Sequence, residues 1–211
     1  MTTKLKEIHD YLISCGAKES ELREMDHHSI HLAKEIMLFA HQNQKRVNGE
    51  RYESHPLQCL KSYQEMLCMD SHVQLKELLD KYGIPFEGVQ ELCLLHDVVE
   101  DSELSFQDVE DIFKECGFEA YFERYISKPL KNITHDKKQC YEDYIQICIE
   151  HPTSALVKML DMQDNMDVFS LTAFGEENYK RTNQYLHFMY LINQKFHFIE
   201  NAEKYRRKTN E

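Results

Sequence analysis

Hydrophobic residues recur at intervals of three and four along most of this chain, which is the spacing of one face of an α-helix. The first stripe, Leu5, Ile8 and Leu12, predicts a short helix over residues 4–14. A second stripe predicts a helix from about His27 to Gln44. The same periodicity predicts further helices over residues 57–70, 72–81, 86–99, 105–116, 118–131, 139–150, 153–166 and 176–207.

Local signals mark several of these helix ends. Ser105 followed by Asp108 resembles a capped helix start, and Gly117 is expected to stop that helix. Thr153 is the predicted N-cap of the apolar helix that runs to position 166. The stripe along the last helix, which includes Tyr185, indicates core packing rather than a cofactor site.

Composition supports a helical fold class. Hydrophobic residues make up 42% of the 211 positions and charged residues 29%, so the chain is expected to fold. Only 6 Gly and 4 Pro leave little material for the tight turns of an all-β fold. We therefore predict an all-α, single-domain helical bundle over residues 1–211, with a basic, solvated C-terminal tail at 204–211.

The net charge limits the classes of molecule that this chain is expected to bind. A formal charge of −12 argues against a nucleic-acid binder, which needs a basic face for phosphates. It leaves room for a small phosphorylated ligand, because one metal ion and a few local cations can reverse the field in a cleft. No apolar run approaches the roughly 18 residues of a spanning helix, and the N-terminus lacks the apolar core of a signal peptide. The sequence thus predicts a cytoplasmic protein without membrane contact.

Cysteines are the next source of information about chemistry. The chain has 7, an odd number, and no Cys-x-x-Cys pair. Most of them fall in apolar helical contexts. This pattern predicts reduced thiols in the core rather than a disulfide framework or a zinc knuckle.

The segment His96–Asp101 is the first candidate for chemistry. One histidine and three carboxylates follow directly on the apolar run Leu92–Leu95. Ionisable groups at the end of a core-forming run are costly to desolvate unless a metal or a counter-charge compensates. The alternative is a helix that leaves the core with a solvated acidic end.

Two other segments carry possible partners. His55 precedes Pro56, a residue suited to the first turn of a helix, so the imidazole is expected at a helix N-terminus. Lys158, Asp161 and Asn165 lie three and four apart on an otherwise apolar helix and share one face. The alternatives are a capping role for the histidine and a structural ion pair between the lysine and the aspartate.

Together, His55, His96, Asp97 and Asp161 offer two imidazoles and two carboxylates from three helical regions. Mixed nitrogen and oxygen ligands with room for water suit Mn²⁺, or another divalent ion such as Fe²⁺, Mg²⁺ or Zn²⁺, better than a closed zinc site. The sequence therefore predicts a divalent metal centre.

These motifs resemble those of the HD-domain metal phosphohydrolases. The similarity is greatest to the hydrolase domain of the RelA/SpoT stringent-response proteins and their small stand-alone relatives. It spans roughly residues 30–195, and the HD core is expected at about 27–200. The matching positions are His41–Arg46, Tyr52, His55–Pro56, Leu94–Asp101, Thr134, Tyr141–Tyr144, Lys158–Asp161 and Asn165–Met166.

The resemblance implies an all-helical, Mn²⁺-dependent enzyme that hydrolyses the 3′-pyrophosphate of guanosine tetra- or pentaphosphate. It also implies roles for individual residues. These are metal binding by His55, His96, Asp97 and Asp161, handling of the attacking water by Glu100 and Asp101, nucleotide contacts by Arg46 and Asn165, and ordering of the site by Lys158.

The chain departs from the family pattern at several positions near the substrate. Val47, Met162 and His135 replace residues of the family motifs, and the segment between the two histidines is about 15–20 residues longer, which enlarges the 57–85 region. These changes touch substrate contacts more than the metal. They leave open a hydrolase of another nucleotide or phosphoester, and a non-catalytic nucleotide-binding HD domain.

Overall fold

A computed structural model of the chain describes residues 3–25, 28–68, 79–81, 83–167 and 175–196. Within these residues every regular element is a helix, apart from one isolated antiparallel bridge between Lys45 and Arg51. The predicted all-α fold class is therefore confirmed. None of the described helices is both long and apolar enough to cross a membrane.

Twelve α-helices and one π-helical segment are described, in chain order. They are α1 Thr3–Ser14, α2 Glu19–Met25, α3 Ser29–Ala40, α4 Ser54–Cys68, α5 Val89–Leu95, α6 Val98–Asp101, α7 Phe106–Glu115, α8 Glu119–Tyr121, the π-helix Phe122–Ile126, α9 Ser127–Ile133, α10 Tyr141–Cys148, α11 Pro152–Asn165 and α12 Glu176–Phe196.

The centre of the bundle is α5, which packs against α3, α4 and α11. Leu92, Cys93, Leu94 and Leu95 are all completely buried. Because burying one leucine side chain is worth about 1.5–3 kcal/mol, this run holds its helix firmly in the core. This helix ends at Leu95, so the residues that follow α5 start from a fixed position.

The N-terminus of α5 is held by a close backbone approach at Gly88. Gly88 has φ +84, and a Cβ atom there would lie 2.7 Å from the carbonyl oxygen of Tyr125. Glu91, in the first turn, accepts hydrogen bonds from Ser29 Oγ at 2.6 Å and Tyr121 Oη at 3.0 Å. These contacts fix the helix that leads to His96.

Several predicted helix boundaries were wrong. The helix predicted over residues 86–99 is divided, because a turn at His96 and Asp97 separates α5 from α6. The N-cap of α11 is His151 rather than Thr153, with Pro152 in the first turn. The sequence also did not predict α2, and α3 ends at Ala40 rather than Gln44.

One predicted helix start agrees with the structure, and one predicted segment differs from it in length and geometry. Ser105 and Asp108 form the expected reciprocal cap of α7. The segment predicted as one helix over 118–131 contains the π-helical turn and continues to Ile133. Most of the predicted helix 72–81, the end of the last helix and the tail 204–211 lie outside the described residues.

Candidate active site

Four polar side chains converge where α4, α5 and α11 meet. His55 comes from the first turn of α4, His96 and Asp97 from the turn that follows α5, and Asp161 from the middle of α11. His55, His96 and Asp161 are each at most 3% exposed. The buried run of α5 and the apolar face of α11 bring these residues together, although 106 positions separate the first from the last.

The donor atoms of these residues lie close to one another. His55 Nε2 is 3.2 Å from His96 Nε2, 3.1 Å from Asp161 Oδ1 and 3.4 Å from Asp97 Oδ2. His96 Nε2 is 3.2 Å from Asp97 Oδ2 and 3.9 Å from Asp161 Oδ1. Ligands about 2.0–2.2 Å from one cation are separated by about 3–4 Å, so this geometry fits a divalent ion. These residues could hold the predicted metal.

Burial and charge act in opposite directions on this cluster. Burial by itself disfavours the charged form of each group. Hydrogen bonds to the surrounding carboxylates nevertheless raise the pKa of His55 well above its ordinary value. Burial also opposes ionisation of Asp161, but Lys158 and the two imidazoles hold the pKa of its carboxyl well below the usual range. The cluster therefore keeps its carboxylates ionised, which is the state that binds cations.

Lys158 and Asn165 both turn toward Asp161 on the same helix. Lys158 Nζ lies 2.6 Å from Asp161 Oδ2, and Asn165 Nδ2 donates to Asp161 Oδ1 at 2.5 Å. The ion pair considered as an alternative for this helix is thus present. It does not remove the aspartate from the cluster, because the carboxylate oxygen Oδ1 still faces His55.

Glu100 and Asp101 lie in different surroundings. Glu100 accepts a hydrogen bond from the backbone N–H of His135 at 3.1 Å, and its burial raises the pKa of its carboxyl. Asp101 is exposed, and its side chain lies 3.6 Å from Lys137 Nζ. Of the two carboxylates predicted to handle water, Glu100 is the one that is partly buried.

Asp164 is a residue of this site that the sequence did not reveal. Its Oδ2 atom lies 2.6 Å from His55 Nδ1 and 2.8 Å from Arg46 Nη1. It follows Asp161 by three positions on α11 and so shares its face, a signal that could have identified it. On the other side of the cluster, Tyr52 Oη donates to Asp97 Oδ2 at 2.7 Å. Each of these contacts orients a predicted metal ligand.

Comparison with known proteins supports the helical fold and the predicted resemblance. No protein-family profile matches the chain. It is 30% identical over 106 residues to the guanosine-3′,5′-bis(diphosphate) 3′-pyrophosphohydrolase MESH1 of Drosophila melanogaster, which is 47% of this chain and 53% of that enzyme. The chain thus matches about half the length of this curated relative.

A solved structure gives broader coverage. It belongs to a metazoan ortholog of SpoT that hydrolyses ppGpp and plays a role in starvation responses. The similarity has a TM-score of 0.53 at 22% identity and covers 80% of this chain and 85% of the other. This chain has an HD-domain fold. At that identity, the likeness concerns the arrangement of helices.

Beside the cluster of His55, His96, Asp97 and Asp161, the fold forms a cavity of about 330 Å³. Four cationic side chains line it, namely Lys45, Arg46, Lys158 and Arg181. Tyr185 packs against the core, as its stripe predicted, and it also lines the cavity. The sequence did not predict that Arg181 and Tyr185 line a cavity. Periodicity shows which face of α12 turns inward, but not which residues of other helices that face meets. Cations around a cleft of this size suit a phosphorylated small molecule.

Proposed function

We propose that this protein is a metal-dependent phosphohydrolase that removes the 3′-pyrophosphate from guanosine 3′,5′-bis(diphosphate) or a closely related nucleotide. The observation that carries the proposal is the convergence of two imidazoles and two carboxylates beside a cavity lined by cations. The similarity to a 3′-pyrophosphohydrolase of that nucleotide supports the choice of substrate. A single nucleotide, rather than a nucleic acid, is consistent with the net charge of −12.

The metal centre is assigned to His55, His96, Asp97 and Asp161. A divalent ion held there would lower the pKa of a bound water and offset the charge that develops on the phosphoryl oxygens. The mixed nitrogen and oxygen donors favour Mn²⁺ among the candidate ions, with Fe²⁺, Mg²⁺ and Zn²⁺ as alternatives.

Proton transfer is assigned to Glu100. A carboxylate with a raised pKa takes a proton from water more readily than an ordinary one, and a positioned base adds about 10²–10⁴-fold to a rate. The hydrogen bond from the N–H of His135 fixes one carboxylate oxygen. Asp101, exposed beside the same cavity, is assigned to orienting water or substrate.

Binding of the negatively charged phosphate groups is assigned to the cationic side chains of the cavity. Arg46 uses one guanidinium nitrogen on Asp164, and its planar fork has further N–H donors for a phosphate oxygen. Lys158 supplies a buried positive charge next to Asp161. Asn165, on the same helix face, is assigned to the ribose or phosphate edge of the nucleotide.

A second candidate is a phosphohydrolase of a different nucleotide or phosphoester. Its support is Val47, which lines the cavity with 71% of its surface exposed, at a position where the family carries a lysine near the base. A branched apolar side chain cannot form the hydrogen bonds or charge contacts of an ammonium group. Selectivity for the base is the property this change would alter.

One assay separates these candidates. Product release is measured with Mn²⁺ over a panel of guanosine and adenosine nucleotides with and without a 3′-pyrophosphate, using Asp97→Ala as the inactive control. Pyrophosphate release from guanosine 3′,5′-bis(diphosphate) supports the first function, and release only from other substrates supports the second. Binding without any release would contradict both. We also propose a cytoplasmic location, since Cys59, Cys93 and Cys148 are buried, reduced thiols.

A further inference from the structure

Cys59 lies next to the proposed metal ligands, but nothing in the proposed hydrolysis uses it. It follows His55 by four residues on α4, so the two side chains share one face of the helix. Its side chain is completely buried. The sulfur and one imidazole nitrogen from each of His55 and His96 all lie within 4.8 Å of one another. Cys59 is thus the buried core thiol that the sequence predicted, and it also lies within reach of both imidazoles.

We propose that Cys59 is an additional donor of this centre, through which His55, His96 and a thiolate coordinate soft or borderline cations such as Zn²⁺ and Co²⁺. The inference rests on the proposed function, because this thiolate mode and the proposed hydrolytic metal centre both use His55 and His96. On coordination, the thiol loses its proton to solvent and the sulfur forms a bond to the cation.

The geometry requires only a small adjustment. With bonds of about 2.1 Å to nitrogen and 2.3 Å to sulfur, a tetrahedral ion separates its donors by about 3.3–3.7 Å. The imidazole nitrogens, at 3.2 Å, already lie close to this distance. Since the sulfur lies within 4.8 Å of the imidazole donors, an approach of about 1 Å completes the set. A single-bond rotation of a small side chain can supply such a movement.

The two modes select different metals. Two imidazoles with two carboxylates suit Mn²⁺, whereas two imidazoles with a thiolate suit Zn²⁺ and Co²⁺, because softer ligands favour softer ions. A thiolate in the first coordination shell also uses a position that water would otherwise take. Zn²⁺ is therefore expected to bind tightly at this centre and to compete with Mn²⁺.

The test is the absorption spectrum of the full chain loaded with Co²⁺. Thiolate coordination gives a charge-transfer band in the near ultraviolet, and we expect that band in the wild-type protein and not in Cys59→Ala. The matched control is Cys93→Ala, which removes an equally buried thiol from the adjacent helix α5 and should keep the band. Affinity for Zn²⁺ should fall about 10–100-fold in Cys59→Ala, while affinity for Mn²⁺ should change by less than about threefold.

The outcomes distinguish this inference from the proposed function. If the wild-type protein binds Co²⁺ without showing the band, Cys59 is not a ligand, but the proposed centre stands. The same conclusion follows if the band persists in Cys59→Ala. Absence of any Co²⁺, Zn²⁺ or Mn²⁺ binding overturns both proposals. If Cys59→Ala fails to fold, Cys59→Ser, which replaces only the sulfur, takes its place and should likewise lose the band.

Discussion

Asp164 Oδ2 lies 2.6 Å from Nδ1 of His55, on the side of the imidazole opposite the cluster of donor atoms. An Nδ1–H that donates to this carboxylate leaves Nε2 free to face a cation. The same oxygen lies 2.8 Å from Arg46 Nη1. One carboxylate therefore links the orientation of a proposed metal ligand to the position of a cation that lines the cavity.

We expect Asp164→Ala to weaken Mn²⁺ binding and turnover together, by about 10–100-fold, because the variant frees both the imidazole and the guanidinium. Metal affinity is measured by isothermal titration and turnover by pyrophosphate release. Asp143→Ala, which removes an exposed aspartate from α10, is the control and should change neither quantity. Unchanged Mn²⁺ affinity in Asp164→Ala would show that His55 needs no such support.

Glu100→Gln should keep the metal and lose most of the turnover. The amide retains the shape of the side chain and cannot take a proton, so we expect kcat to fall by about 10²–10⁴-fold. Mn²⁺ affinity, measured in parallel, should stay close to that of the wild-type protein. Full turnover in this variant would remove Glu100 from the mechanism.

The raised pKa of Glu100 predicts a pH dependence of activity. A base acts in its ionised form, so kcat should fall as the pH drops through the pKa of this group. Because burial raises that pKa, the fall should occur at a higher pH than the ordinary value of about 4.3 for glutamate. A pH–rate profile tests this, and a profile that stays flat down to ordinary glutamate values would contradict it.

The same shift predicts a pH dependence of stability. A folded state that holds this proton more tightly than the unfolded chain loses stability as the pH rises from the unfolded pKa to the folded one. Glu100→Gln removes that loss. We therefore expect the metal-free variant to melt at a higher temperature than the metal-free wild type at pH 7, and the difference to vanish below the ordinary glutamate pKa.

Metal binding should stabilise the fold. Mn²⁺ at 100 times its dissociation constant adds about 2.7 kcal/mol to the free energy of unfolding, which raises the melting temperature of a chain of this size by about 5–10 °C. A chelator should reverse the increase. Asp97→Ala, which removes a proposed ligand, should show no increase, and a normal increase in that variant would exclude Asp97 from the centre.

Gly88→Ala should destabilise the fold more than Gly117→Ala, although the two glycines have similar backbone conformations. A left-handed φ costs an alanine about 1–2 kcal/mol, and the overlap of its Cβ with Tyr125 adds about 1–3 kcal/mol. Gly117→Ala is the matched control, because Gly117 has φ +82 and a Cβ there meets nothing within 4 Å. Urea unfolding measures both variants, and equal losses would show that Tyr125 moves aside without cost.

Local patterns in the sequence were enough to predict much of the helical fold. The buried run Leu92–Leu95 and the cap at Ser105 depend on neighbours within one or two turns, so they could be identified from the chain alone. The turn that ends α5 could not, because neither His96 nor Asp97 is a residue that breaks helices. Packing of the surrounding helices decides where that helix stops.

By itself, the sequence determined which side chains could form a site, because residues three and four apart on one helix must share a face. Lys158, Asp161 and Asn165 were grouped in this way. Only the tertiary structure decided which faces meet. Asp164 and His55 are 109 residues apart and touch because α4 and α11 pack together. In the same way, the packing of α4 against α5 brings Cys59 beside His96. Contacts between distant segments depend on how whole helices pack against one another, and no local sequence pattern shows which helix faces will meet.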